Sequence, residues 1–214
     1  MTEQPQPPAE RFPACIESSR EVKTCDSLQM ANWLFLEEAK REEKGRSYKS
    51  LATILMAAFK FEAYLNHAGQ QVDSDWNEWD NNGHPTWQDK LNRLAGKLQL
   101  TFEKGRRPLQ TITELFKFRD SLVHGKTERV SETKKFKAAT RRDLIEAPLP
   151  VTQWEKLCTL DFANRTWEDT EKMIAQISKA LPSDPVDLEL DELWNRAFAD
   201  TLRSSQDTVT DGES

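Results

Sequence analysis

The sequence predicts an all-α protein, an up-and-down antiparallel helical bundle with an irregular N-terminal arm and an extra C-terminal amphipathic helix. Three observations lead there. Several segments repeat their apolar residues at the 3.6-residue helical period, and few alternate apolar with polar. Glycine is scarce, at 7 of 214 residues, which disfavours sandwich folds and Gly-rich phosphate-binding folds. Charged residues make up 31% and mean hydropathy is −0.76, a balance that suits a bundle with a solvated outer surface.

Residues 1–25, with three prolines among the first eight, read as the irregular arm. Asp26 or Ser27 suits the N-cap of a first helix ending at Gly45. A second helix from Ser47 to Gly69 is the most apolar stretch and the expected central core element. The run VDSDWNEWDNNGHP reads as a polar loop whose Trp76 and Trp79 either fold back over the core or stack on bases. Thr86 caps a third helix, which contains Trp87. Pro108 suits the first position of a fourth, ending at Gly125. The basic stretch 126–150 is a linker, and a fifth helix falls within 163–181, closed by Pro182. These elements make one domain, 26–181. Residues 182–214 read as an acidic amphipathic helix carrying Leu190, Leu193, Trp194, Phe198 and Leu202, followed by a disordered tail.

Charge is unevenly spread along the chain. The net charge is −6, yet residues 182–214 carry −7 by themselves. Between 126 and 142, seven bases (Lys126, Arg129, Lys134, Lys135, Lys137, Arg141 and Arg142) face two acids. That stretch is either a solvated loop or a surface that meets the phosphates of RNA. No apolar run reaches the ~18 residues of a membrane span, and the N-terminus lacks the features of a secretory signal. A soluble cytoplasmic protein without membrane contact is expected. The cysteines, Cys15, Cys25 and Cys158, are too few and too scattered for a disulfide framework or a zinc site, so neither a metal nor a cofactor is expected. His67 and His84 lack ligand-spaced partners.

Two charges interrupt apolar stripes. Glu62 falls among Leu51, Ile54, Leu55, Ala58 and Leu65 on the second helix. Arg119 falls among Ile112, Leu115, Phe116, Leu122 and Val123 on the fourth. A lone charge on a buried face is costly, so each needs a partner or a wet cleft. A structural Glu62–Arg119 ion pair meets that need, as does an arginine oriented by a carboxylate with donors left for a phosphate. Asp120 and His124 stand at i, i+4, close enough for the carboxylate to hold a ring nitrogen. Arg119 and His124 are about 140° apart on an ideal helix. They converge only where the helix end loosens or a second subunit takes part.

The run Arg119-Asp120-Ser121-Leu122-Val123-His124, followed by Gly125 and set in the fourth helix after an apolar second helix bearing an acid, resembles the Arg-x4–6-His motif of HEPN domains. The resemblance spans roughly 27–181; the arm and the acidic C-terminal helix depart from it. It implies a helical bundle that forms a homodimer, with two Arg–His pairs in one cleft. It further implies a metal-independent endoribonuclease acting on single-stranded RNA, such as a toxin or an antiviral defence effector, often with an antitoxin or nucleotidyltransferase partner. Other family members are inactive modules that bind a protein or a nucleotide. On the active reading Arg119, His124 and Asp120 form the catalytic set and Glu62 supports it. Arginine would clamp the phosphate, and the imidazole would act as acid or base toward a 2′-hydroxyl that DNA lacks.

Overall fold

The computed structural model describes residues 22–182, apart from 134, 135, 137, 139, 146 and 148. Among the described residues the secondary structure is entirely helical. The elements are α1 (Thr24–Arg41), α2 (Arg46–Val72), α3 (Trp76–Gly83), α4 (Trp87–Leu98), α5 (Leu109–Val123), α6 (Arg141–Ile145) and α7 (Leu160–Ser178), with a 3-10 turn at Glu155–Leu157. None is long and apolar enough to cross a membrane. The amphipathic segment 187–203, most of the N-terminal arm and the acidic tail lie outside the described residues.

The central helix is α2, which packs on α1, α3, α4, α5 and α7. Its buried face carries Ile54, Ala57, Ala58, Phe61, Leu65 and Ala68, all fully enclosed. That face shares Ile54, Ala58 and Leu65 with the stripe read from the sequence but is turned toward Ala57, Phe61 and Ala68, leaving Leu51 and Leu55 only half-buried; its small residues let neighbouring helices approach closely. Phe61 meets Phe116 of α5 edge-on, and Phe118 of α5 meets Phe162 of α7 in the same way. Along α5 and α7 the partners run in opposite senses. Arg107, just before α5, grips Asp169 in a bidentate pair (2.6 and 3.0 Å), Glu114 pairs with Arg165, and Phe118 touches Phe162. The two helices are therefore antiparallel. Asp169 is fully buried, and burial alone would raise its pKa, but the Arg107 guanidinium, the Thr111 hydroxyl and the Lys172 ammonium together more than offset that and hold the carboxyl below its ordinary range.

Lys60 is a second enclosed charge. Its ammonium donates to Asn32 Oδ1 (3.3 Å) and Glu171 Oε1 (2.5 Å) and lies 4.4 Å from the Trp167 ring. Burial lowers its pKa, and these partners from α1 and α7 let a charge stay inside the bundle.

The structure departs from the sequence reading at several element ends. Helix α1 starts at Thr24, ahead of Asp26 and Ser27, with no side-chain cap on Lys23. Helix α7 starts at Leu160, capped by Thr159, whose hydroxyl accepts from the Phe162 N–H. The basic linker contains the one-turn α6, closed at its start by Thr140 and Asp143. The largest change is at Gly69, which does not end α2. The helix continues to Val72, and a Cβ on Gly69 would lie 2.3 Å from the Trp76 ring. Missing side-chain bulk at Gly69 admits the indole, and the segment expected as a loop becomes α3. Trp76 is 1% exposed and packs edge-on against Trp79, with ring centroids 5.1 Å apart.

Asp73 locks this corner. Its enclosed carboxylate accepts from Arg93 Nε (2.7 Å), pairs with Lys97 (3.1 Å) and takes the Asp75 N–H (3.3 Å), while Arg93 lies over the Trp79 ring. The hydrogen bond from Arg93, aided by Lys97 against the opposing effect of burial, lowers the Asp73 pKa to about 2. A depressed carboxylate stabilises the fold above its unfolded pKa near 4, and that contribution is lost as pH falls from about 4 to 2. Allowing for solvent screening, the loss should be about 1–2 kcal/mol. Urea denaturation between pH 2 and 5 should show this acid limb, and Asp73→Asn should flatten it.

Candidate functional site

The site is built where α5 passes α2 and the start of α4. Thr86 and Asp89 form a reciprocal capping box: the Asp89 N–H donates to Thr86 Oγ1, and the Thr86 N–H donates to Asp89 Oδ2. This fixes the first turn of α4 and places Trp87 flat against Phe116, with centroids 4.6 Å apart and planes within 14°. Above this aromatic pair lies a cleft of about 200 Å3, lined by Glu62, Trp87, Phe116, Lys117, Arg119 and Asp120 among others.

Arg119 occupies the wall of the cleft. Its Nη1 donates to Glu62 Oε2 (2.5 Å), and its Nε and Nη2 both donate to Asp120 Oδ1 (3.0 and 2.8 Å). The guanidinium carbon lies 4.7 Å from the Phe116 centroid, a cation–π contact on one face. Three of the five N–H donors are thereby used, leaving two. The Arg119 side chain is 20% exposed and Glu62 29%, so this is a wet-edged pair on the cleft rim. Glu62 also lies 3.9 Å from the Lys90 ammonium, which pairs with Asp80 at 2.9 Å. Because solvent reaches the pair, Glu62→Ala should cost about 1–2 kcal/mol, well short of the 3–5 kcal/mol of a dry pair. Thermal or urea denaturation checks that difference.

His124 stands apart from this arrangement. It is the exposed C-cap residue of α5, its φ and ψ (−101° and 17°) have left the helix, and its backbone N–H donates to Asp120 O. Among the described residues its ring meets no hydrogen-bond partner. The Asp120 carboxylate, suitably spaced for His124 in the sequence, turns to Arg119 instead. A guanidinium one residue away offers two donors at once, and an imidazole at a loosened helix end cannot compete with that. Within one chain the structure therefore joins Glu62, Arg119 and Asp120 and leaves His124 outside the cleft.

Of the basic segment, Lys126, Arg129, Arg141 and Arg142 are exposed; Lys134, Lys135 and Lys137 lie outside the described residues. The described cysteines offer no thiolate: burial pushes both Cys25 and Cys158 up to about 11. No group of three or more His, Cys, Asp or Glu among the described residues is placed to hold a metal ion. Two parts of the site escaped the sequence reading. Lys117 belongs to no motif read from the sequence, and Trp87 is placed there only within the third helix. Nothing in either segment alone signals that both line one cleft. Comparison with protein-family models, curated proteins and solved structures finds no match.

Proposed function

We propose that this chain is a HEPN-like endoribonuclease that cuts single-stranded RNA, with Arg119 as phosphate clamp and His124 as proton-transfer group. The observation that carries the reading is the state of Arg119. Its guanidinium is oriented by Glu62 and Asp120 at the rim of a cleft, with two donors uncommitted. An arginine held in one orientation by carboxylates can meet a phosphate without first losing side-chain entropy. The exposed His124 caps the end of the same helix, and exposed bases continue the surface from Lys126. Because His124 lies outside the cleft of its own chain, the reading requires a homodimer with α5 near the two-fold axis, where the two histidines and two arginines meet. A role as toxin or defence effector, with an antitoxin or nucleotidyltransferase partner, belongs to the same proposal.

A second reading is favoured by one contact. Asp120 is committed to Arg119, so among the described residues nothing orients the His124 ring; this suits an inactive HEPN-like module that binds a protein or nucleotide. One experiment separates the two. The purified full chain is incubated with single-stranded RNA in EDTA and its mass measured by sedimentation. The active reading expects a dimer that leaves 2′,3′-cyclic phosphate ends and spares DNA of the same sequence. A dimer that binds RNA or nucleotide without cutting supports the module. A strictly monomeric, inert protein removes the active reading.

A further inference from the structure

Helix α1 is apolar on more sides than its neighbours cover. From Leu28 to Leu36 its only polar members are Gln29 and Asn32, and Asn32 is buried. The helix packs on α2 and α7, and its buried residues are Cys25, Asn32, Leu36 and Ala39. Leu34 stands two residues from both Asn32 and Leu36, so it points away from the bundle, and it is 48% exposed. Phe35 beside it is 40% exposed. Ala31 and Leu28, one and two turns before Phe35, continue that side half-buried. An edge helix of a bundle ordinarily shows solvent a polar face, and a helix apolar all round is a covered one.

The chain itself contains a segment of matching length and pattern. Residues 187–203 lie outside the described residues, and their sequence repeats Leu190, Leu193, Trp194, Phe198 and Leu202 at helical spacing. Just ahead of them, Asp184 and Pro185 suit an N-cap and a first helical position, and the acids within 187–192 suit the start of a helix. As a helix, 187–203 would measure about 26 Å, against about 27 Å for α1. The described chain also ends in the right place. Asn32, midway along α1, and Glu171, in the second half of α7, meet on the Lys60 ammonium. From there α7 continues only to Ser178, about 10 Å, so the chain leaves the bundle beside one end of α1. Residues 183–186 are a connection of the length that joins antiparallel helices. A tether this short holds the segment at an effective concentration in the millimolar range, which a free partner does not match. The exposed Leu149 and Val151 of the basic linker lie on irregular chain and offer no straight face of that length.

We propose that the segment 187–203 docks within its own chain along the outer face of α1, with Trp194 and its apolar neighbours over Leu34 and Phe35, and completes the bundle there. The contact does not depend on the ribonuclease reading. Any other protein that uses this face of α1 must first displace the segment.

Amide hydrogen exchange of the full chain, read peptide by peptide in a mass spectrometer, tests the contact. Peptides within 187–203 should exchange about 100-fold more slowly than an unstructured chain, and equally so across a wide range of protein concentrations. Leu34→Asp should return them to the unstructured rate while peptides of α2 and α5 keep their protection. Trp194→Ala should do the same and should also speed exchange in the peptide holding Leu34 and Phe35. It alters no residue of the described bundle, so it decides the matter if Leu34→Asp unfolds the protein. Leu149→Asp, at an exposed linker position, is the control and should change nothing in 187–203. Fast exchange of 187–203 in the unmodified chain overturns the proposal. Protection that survives both Leu34→Asp and Trp194→Ala overturns it too, since the segment is then seated elsewhere. Protection that grows with protein concentration gives the face to a second copy and overturns the contact within one chain.

Discussion

Arg119→Ala should lower single-stranded RNA cleavage at least about 10³-fold, and His124→Ala should do so by about 10²–10⁴-fold, but the two losses should differ in kind. On the proposed ribonuclease reading Arg119 would meet the ground-state phosphate as well as the phosphorane, so its removal should weaken RNA binding and turnover together. It also strips Glu62 and Asp120 of the cation they share, leaving two acids at the cleft rim that would repel an RNA backbone. His124 is exposed, and its ring has no hydrogen-bond partner among the described residues. His124→Ala should therefore leave folding and RNA affinity nearly unchanged while turnover falls. Arg119→Lys should recover little, because an ammonium cannot reproduce a planar fork that donates to Glu62 and Asp120 at once. Single-turnover cleavage with a separate filter-binding curve for each variant reads these outcomes. His67→Ala is the control and should behave as the unmodified protein. Cleavage that survives in His124→Ala overturns the assignment of the histidine.

Gly69→Ala should destabilise the protein by about 2–4 kcal/mol although it replaces glycine with the best helix former. Helix propensity alone favours alanine by about 1 kcal/mol. Against that stands the Trp76 indole, whose ring atoms would lie 2.3 Å from the new Cβ. Real carbon atoms do not approach so closely, so the indole must move out of its buried site. Displacing a fully buried tryptophan costs on the order of 3–5 kcal/mol. The effect should spread, because Trp76 supports Trp79, Trp79 carries Arg93, and Arg93 binds Asp73. Gly96→Ala is the informative opposite. Gly96 is exposed in α4 with nothing within 4 Å of its Cβ position, so alanine there should stabilise by about 0.5–1 kcal/mol. Urea midpoints for the two variants should move in opposite directions, and equal shifts would remove the steric explanation.

The two glycines also show how far the sequence can be read. Each stands in a helical pattern, and on propensity alone both are weak points or stops. Gly69 is neither, because a side chain from another helix occupies the space where its own would be. No property of the residues around Gly69 announces this; it depends on Trp76 arriving from beyond the turn at Asp73. The same dependence turned the expected loop 70–85 into α3, since its polar surface hides two indoles that fold inward together.

The sequence by itself determined the helical class, α2 as the central helix, the Thr86 cap and the need of Glu62 and Arg119 for partners. Those features follow from spacing within a single segment, where the 3.6-residue period and the cost of a charge on an apolar stripe both act locally. The tertiary structure alone decided that Asp120 serves Arg119 while His124 stays outside the cleft, that Trp87 and Lys117 line one cleft, and that Gly69 admits Trp76. Each of those is a choice among competing partners on different helices, settled by which groups packing brings within reach.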